Sequence, residues 1–365
     1  MTGCVLITGG AGFIGCNLAD RLAGEGWTVR IYDALVRPGV ERNLAWLQER
    51  HGALIEPVIA DIRDVDRLAE AVRGVAAVFH FAAQVAVTTS MADPAADLSI
   101  NVLGTFNLLE AVRAEQRQVP VIFASTNKVY GDLAGFGSRL SAHGHVPVDP
   151  ALAAHGVGED QPLEFHTPYG CSKGAADQYV LDYARSFGLP TAVLRMSCIY
   201  GERQMGTEDQ GWVAHFLIRA LKGEPITLYG DGHQIRDILH VSDAVTAYLA
   251  TWRNIGYVRG HAYNLGGGPA NAVSLLRLLD HIGQLLGRSL CIEADAWRPG
   301  DQRWFVADTR ALDRALDLPP RLDWREGVAR LASWLAAEHG ATIATGAHGG
   351  AAPAAVIPIF AAAAR

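Results

Sequence analysis

The chain has 365 residues, half of them hydrophobic, which is enough for about two domains and a large buried core. Lysine and arginine number 31 against 38 aspartates and glutamates, a net charge of −7, and no basic run occurs, which argues against a nucleic-acid partner. The five cysteines (Cys4, Cys16, Cys171, Cys198, Cys291) form no C-x-x-C pair, so neither a disulfide framework nor a metal site is expected. No apolar run reaches membrane length and no signal pattern precedes the first strand, so the expectation is a cytoplasmic protein with reduced thiols.

Along the first half, short apolar strands alternate with amphipathic helices. Strands are predicted over 4–8, 28–32, 54–60, 76–81, 121–124 and 191–195. Helices are predicted over 12–24, 65–73, 101–114 and 172–187. In 101–114, Val102, Phe106, Leu109 and Val112 recur at helical spacing. This alternation means βαβ units, hence an α/β fold with a doubly wound parallel sheet of the Rossmann type. After residue 195 the rhythm loosens, with helical patches at 212–222, 242–252 and 274–286. The expected organisation is a dinucleotide-binding domain over 1–194, to which 232–265 returns. A smaller substrate lobe is expected over 195–231 and 266–338. Residues 340–365 are biased toward Ala and Gly and are expected to be a disordered tail.

Thr8-Gly9-Gly10-Ala11-Gly12-Phe13-Ile14-Gly15 follows a strand and opens a helix. Gly9 permits a tight turn, Gly12 lets a pyrophosphate approach the backbone, and Gly15 lets the helix pack closely. Free N–H groups at the helix start then face the pyrophosphate. The next strand ends in Asp33, 18 residues after Gly15. An acid there accepts hydrogen bonds from ribose hydroxyls and repels a 2′-phosphate, so the reading is NAD. Arg37, close by, is the residue that speaks for NADP. Asp61 and Ile62 follow the third strand and would meet the adenine, although an N-cap at Asp61 or Asp64 explains that stretch equally well. Phe81-Ala82-Ala83-Gln84 follow the fourth strand, and the small residues leave room for the cofactor.

Tyr169 and Lys173 stand four apart at a helix start and share one face. A phenol ionises near pH 10, and an adjacent ammonium is expected to lower that value. A phenolate can then take a hydroxyl proton while NAD takes the hydride from the same carbon. Ser125-Thr126, at the end of a strand, offers a hydroxyl for the same substrate oxygen. Cys198 and the two histidines His80 and His240 read as structural.

The glycine turn, the hydroxyl pair, Tyr169 and Lys173 together resemble the extended short-chain dehydrogenase/reductase family acting on nucleotide sugars, over about residues 3–335. The resemblance implies a permanently held NAD, with Tyr169 and Lys173 also touching it and Ser197 lying on its nicotinamide side. It makes Thr126, three residues before Val129-Tyr130-Gly131, the catalytic hydroxyl. It implies a homodimer or homotetramer, with a dimer formed through the helices near 101–114 and 172–187. Members that dehydrate the sugar carry an Asp-Glu pair after this threonine, and this chain has Asn127-Lys128. Neither residue serves as that acid and base, so a redox-neutral epimerase is expected. The stretches 84–90, 125–132, 168–179 and 209–213 resemble the branch that inverts C2 of a CDP-linked hexose, and the long segment 132–167 is a feature of that branch; a 4-epimerase of the same family is the alternative. Gln84, Thr88, Asn127 and Gln210 are candidates near the sugar. Arg203, Arg236, Arg298 and Arg303 are candidate pocket arginines, and by resemblance Arg236 and Arg303 hold the diphosphate. A guanidinium fork suits phosphate oxygens.

Overall fold

A computed structural model describes residues 3–340 with the exception of Pro299, so all but the first residue of the expected tail lies outside the described residues. Seven parallel strands form the central sheet. Their spatial order is Ala262–Leu265, Thr191–Met196, Val121–Thr126, Val78–His80, Cys4–Thr8, Thr28–Asp33 and Ile55–Ile59. The chain starts in the middle, runs outward to 55–59, then crosses back to 78–80. Strand order therefore reverses between Cys4–Thr8 and Val78–His80, where α/β sheets of this kind hold ligands at the carboxyl ends of their strands.

Parallel strands are covered on both faces, so they read as continuous apolar runs. In Cys4–Thr8, Val5 and Ile7 join one hydrophobic cluster with Leu18, Leu22 and Tyr248. Leu6 turns the other way, into a cluster with Leu108, Val112 and Val180. The predicted 101–114 helix begins later, at Gly104, because residues Ser99–Leu103 form a π turn. The predicted 172–187 helix begins earlier, at Thr167, with Pro168 in its first turn.

A separate hydrophobic cluster buries Leu217, Leu228, Ile238, Ile282, Leu331 and Leu335, so the strand at 238, expected with the dinucleotide domain, packs here. A four-stranded sheet built on Ile235–His240 runs beside it. The long segment after Thr126 holds a hairpin, Ser138–Ser141 with Gly144–Pro147, and a short helix, Pro150–His155.

Candidate active site

The glycine turn is made by backbone constraints. Gly9 has φ +69°, and a Cβ there would lie 2.7 Å from Ala82 N. A Cβ on Gly15 would lie 2.4 Å from Gly9 O, so this glycine packs the helix onto the turn itself. The helix Phe13–Gly24 starts at Gly12 with no side-chain cap and no acid in its first turn, which leaves its N–H groups for an anion. Phe13 and Ile14 turn back to pack on the sheet core. Asp33 fastens the turn: its Oδ2 accepts from Ala11 N at 3.0 Å and its Oδ1 from Leu35 N at 2.9 Å. Burial raises this carboxyl, and the backbone N–H groups oppose the rise. The turn, its open helix start and the acid at the neighbouring strand end are a set that fits a dinucleotide.

The strand ends bring the other cofactor candidates alongside. Phe81 N donates to Thr8 O at 2.9 Å, which holds 81–84 against the turn. The Gln84 side chain folds onto its own loop, with Nε2 donating to Ala86 O at 2.7 Å and Oε1 accepting from Ala86 N at 3.0 Å. Ser197 closes the strand Thr191–Met196 and bonds to Asp237. Asp61 and Ile62 stand beside Asp33, since Ala60 N donates to Asp33 O. Their side chains are otherwise engaged: Asp61 pairs with Arg63 at 2.6 Å, and Ile62 is buried where a Cβ on Gly104 would touch it. Asp64, not Asp61, caps the following helix.

Tyr169 and Lys173 face the end of Val121–Thr126, where Thr126 is buried. The expected lowering of the phenol is corrected by this geometry. Burial pushes Tyr169 up to about 12, and a hydrogen bond with Thr126 opposes the rise. Lys173 does not spend its charge on the phenol. Its Nζ donates to Ala124 O at 2.6 Å and lies 4.2 Å from the centre of the Phe123 ring. Burial pulls this ammonium down to about 7, against the pull of Asp177 and Asp97.

Beneath the pair lies a buried network with no signal in the sequence. Arg195 holds both oxygens of Asp177 at 3.0 Å, and Ser125 Oγ donates to the same carboxylate at 2.7 Å. Arg195 also donates to the Tyr130 hydroxyl at 3.1 Å, which donates to Asn264 Oδ1 at 2.8 Å. Asn264 N in turn donates to Glu159 at 2.7 Å. His80 is neutral: burial pulls it down to about 3. Thr105 Oγ1 donates to Asn101 O, so His80 Nε2 donates to Thr105 and Nδ1 accepts from Thr8.

On the sugar side, Asn127 Nδ2 donates to Gln302 Oε1 at 3.3 Å, and Lys128 Nζ donates to Gly300 O at 3.2 Å. Arg236 pairs with Asp301, which also lies 4.0 Å from Lys128 Nζ. Two cations thus share one carboxylate, a local surplus of positive charge suited to an anionic group. Two of the candidate arginines stack on tryptophans. Arg203, at φ +69°, stacks 3.9 Å from the ring centre of Trp46 and 5.6 Å from that of Trp334, so it braces two helices. Arg303 is exposed and lies over Trp297 at 5.8 Å, while its carbonyl accepts from Ile235 N at 3.0 Å. Arg298 instead stacks 3.8 Å from the Tyr229 ring, near Glu208 and Asp209. Thr88 is exposed on the helix Val87–Ala92, and Gln210 Oε1 is buried without a partner among the described residues.

A groove of about 600 Å³ opens elsewhere, between the hairpin segment and residues 308–310. Two of its three aspartates are already committed, Asp149 to a helix cap and Asp308 to Arg310. Among the described residues no group of three or more histidines, cysteines or acids could hold a metal, and no helix is long and apolar enough to cross a membrane.

Comparison with known proteins bears on this arrangement. The NAD dependent epimerase/dehydratase family matches residues 5–266. The CDP-paratose 2-epimerase of Salmonella typhi is 42% identical over 338 residues, spanning 90% of this chain and 98% of its own. A putative UDP-glucose 4-epimerase of Methanocaldococcus jannaschii is 32% identical, spanning 91% and 98%. Among solved structures, the UDP-glucuronic acid 4-epimerase of Bacillus cereus, in complex with UDP-glucuronic acid and NAD, superposes with a TM-score of 0.79 at 25% identity, covering 92% of this chain and 99% of that one. The strand order, the glycine turn and the extent of these matches agree: the chain belongs to the NAD dependent epimerase/dehydratase family.

Proposed function

We propose that this chain is an isomerase that epimerises a nucleotide-activated hexose at C2, with a CDP-linked sugar such as CDP-paratose, CDP-tyvelose or CDP-glucose as substrate. The observation that carries the reading is Asn127-Lys128 directly after Thr126, both side chains tied to 300–302 and neither an acid. The 42% identity to a CDP-paratose 2-epimerase supports both the position and the nucleotide class.

NAD, when bound at the glycine turn, supplies a reversible hydride acceptor. The chain's own residues do the rest. Tyr169, in its phenolate form, takes the proton of the C2 hydroxyl, and Thr126 shares the hydrogen bond to that oxygen. Lys173, a turn further on, donates to Ala124 O and would have to turn from it to oppose the charge on that phenolate. Arg236 leaves Asp301 for the diphosphate, and Lys128 then keeps Asp301 company. Gln210 and Asn127 orient the sugar. Inversion would follow if the keto sugar presented its other face before the hydride returned from the bound cofactor to C2.

A homodimer is part of the proposal. Leu103, Phe106, Tyr179 and Phe187 are 40–52% exposed on the helices flanking Asn101 and Lys173, an apolar face suited to a second copy. Cytoplasmic residence fits five free thiols, two of them exposed.

The test is epimerisation of a C2-deuterated CDP-hexose by enzyme carrying its own NAD, read by NMR. Deuterium retained at an inverted C2 is expected. Loss of label to water would overturn direct hydride return, and inversion at C4 with C2 unchanged would make the enzyme a 4-epimerase.

A further inference from the structure

Behind the catalytic helix lies a carboxylate that the reaction above does not use. Asp97, on the short helix Pro94–Leu98, is 1% exposed. Its Oδ1 accepts from Asn101 Nδ2 at 3.2 Å. Its Oδ2 is buried and has no hydrogen-bond partner among the described residues. No cation among them lies within ion-pair distance of it. An unpaired buried carboxylate is costly, so its retention calls for a reason. Capping is not the reason, because Asp93 caps this helix through Ala96 N at 2.9 Å.

Its neighbours supply one. Asn101, in the π turn, joins Asp97 to Ser172 Oγ at 2.9 Å and to Gln84 O at 3.1 Å. Ser172 Oγ donates to Tyr169 O at 3.2 Å, so Asp97 is linked through two side chains to the residue that carries the phenol. Tyr169 is faced by Thr126 and Asp97, and Lys173 by Asp177 and Asp97. His80, near Lys173, is neutral. Asp177 is already cancelled by both arms of Arg195. Asp97 is therefore the carboxylate, among the described residues facing this pair, that has no ion-pair partner outside it; burial raises this carboxyl, and Ser172 and Lys173 oppose the rise.

We propose that Asp97 is a positioning residue whose uncancelled charge sets the pH range over which the Tyr169–Lys173 pair exchanges its proton with the sugar hydroxyl. This rests on the epimerase reading. A nearby carboxylate disfavours the phenolate and favours the ammonium, so removing its charge moves both titrations to lower pH.

The test uses Asp97→Asn and Asp97→Ser, with Asp97→Glu as the charge-keeping control, all loaded with NAD. The rising limb of kcat/KM against pH is expected to move down by at least about half a unit in both neutral variants, a threefold change in phenolate at fixed pH. Asp97→Glu is expected to keep the wild-type limb. Ultraviolet titration of the phenol, taken as the difference from the same protein carrying Tyr169→Phe, is expected to show the same displacement without turnover. A uniform fall in kcat with an unmoved limb would make Asp97 merely structural and overturn the proposal. So would a fold that survives only in Asp97→Glu. If the wild-type enzyme turns over no nucleotide sugar at any pH, the epimerase reading fails, while the phenol titration still decides the role of Asp97.

Discussion

Around the glycine turn, Thr8, Asp33, Phe81 and Thr126 stand at the ends of adjacent parallel strands, and backbone geometry places them there. Across from them, Lys128, Arg236, Asp301 and Gln302 come from three distant segments and are joined by long side chains reaching carboxylates and backbone carbonyls. The first region is a rigid seat whose parts follow from strand order. The second is a set of exchangeable ion pairs, in which Asp301 holds both cations that an anionic substrate would claim. Under the proposed function, one region selects a cofactor by shape, and the other answers a substrate by changing partners.

The contrast breaks hardest at Tyr169. Tyr169→Phe keeps the packing and removes the proton carrier, so kcat is expected to fall by about 10²–10⁴-fold while the protein still carries NAD. An unchanged kcat would move the chemistry elsewhere. Arg236→Ala acts on the exchangeable side. KM for the nucleotide sugar is expected to rise about 10–100-fold with kcat within about threefold, read from steady-state kinetics. If kcat falls and KM does not, Arg236 acts in the chemical step and not in docking.

His80 probes the rigid side. Its folded value is depressed to about 3, below the ordinary 6.5. The unfolded chain therefore takes up a proton below about pH 6.5 that the native state refuses. Stability from this group is complete above that pH and is lost as pH falls toward the folded value, by about 1.4 kcal/mol per unit. Urea unfolding at pH 7 and pH 5 is expected to show this slope, and His80→Gln to flatten it while lowering stability at pH 7. Arg203→Ala gives the smallest effect. A loss of about 1 kcal/mol in thermal unfolding is expected, with KM unchanged within about twofold, because the side chain stacks on Trp46 and Trp334. A raised KM would return Arg203 to the substrate.

These differences also mark what could be read in advance. The strands 4–8 and 28–33, the glycine turn and Asp33 are local: neighbouring residues and their periodicity dictate them. Tyr169 and Lys173 share a helix face for the same reason. Arg203 and Arg303 stack on tryptophans, and nothing local in the sequence says which way a guanidinium on an irregular segment points. Asp97 and Asn101 gave no signal either. Their meeting with Ser172 depends on a π turn that breaks helical spacing and on a residue 71 positions from Asn101. The phenol's titration was misjudged because spacing showed the ammonium nearby but not that Ala124 and Phe123 hold it.

The run of buried bonds from Ser125 through Asp177, Arg195, Tyr130 and Asn264 to Glu159 makes the segment after Thr126 non-transferable as a cassette. A chimera that exchanges residues 132–165 for a relative's shorter connection leaves Asn264 N without its carboxylate and opens a polar track to solvent. Such a graft keeps its function only if the donor segment brings an acid to the place of Glu159, or if Asn264 is redesigned with it.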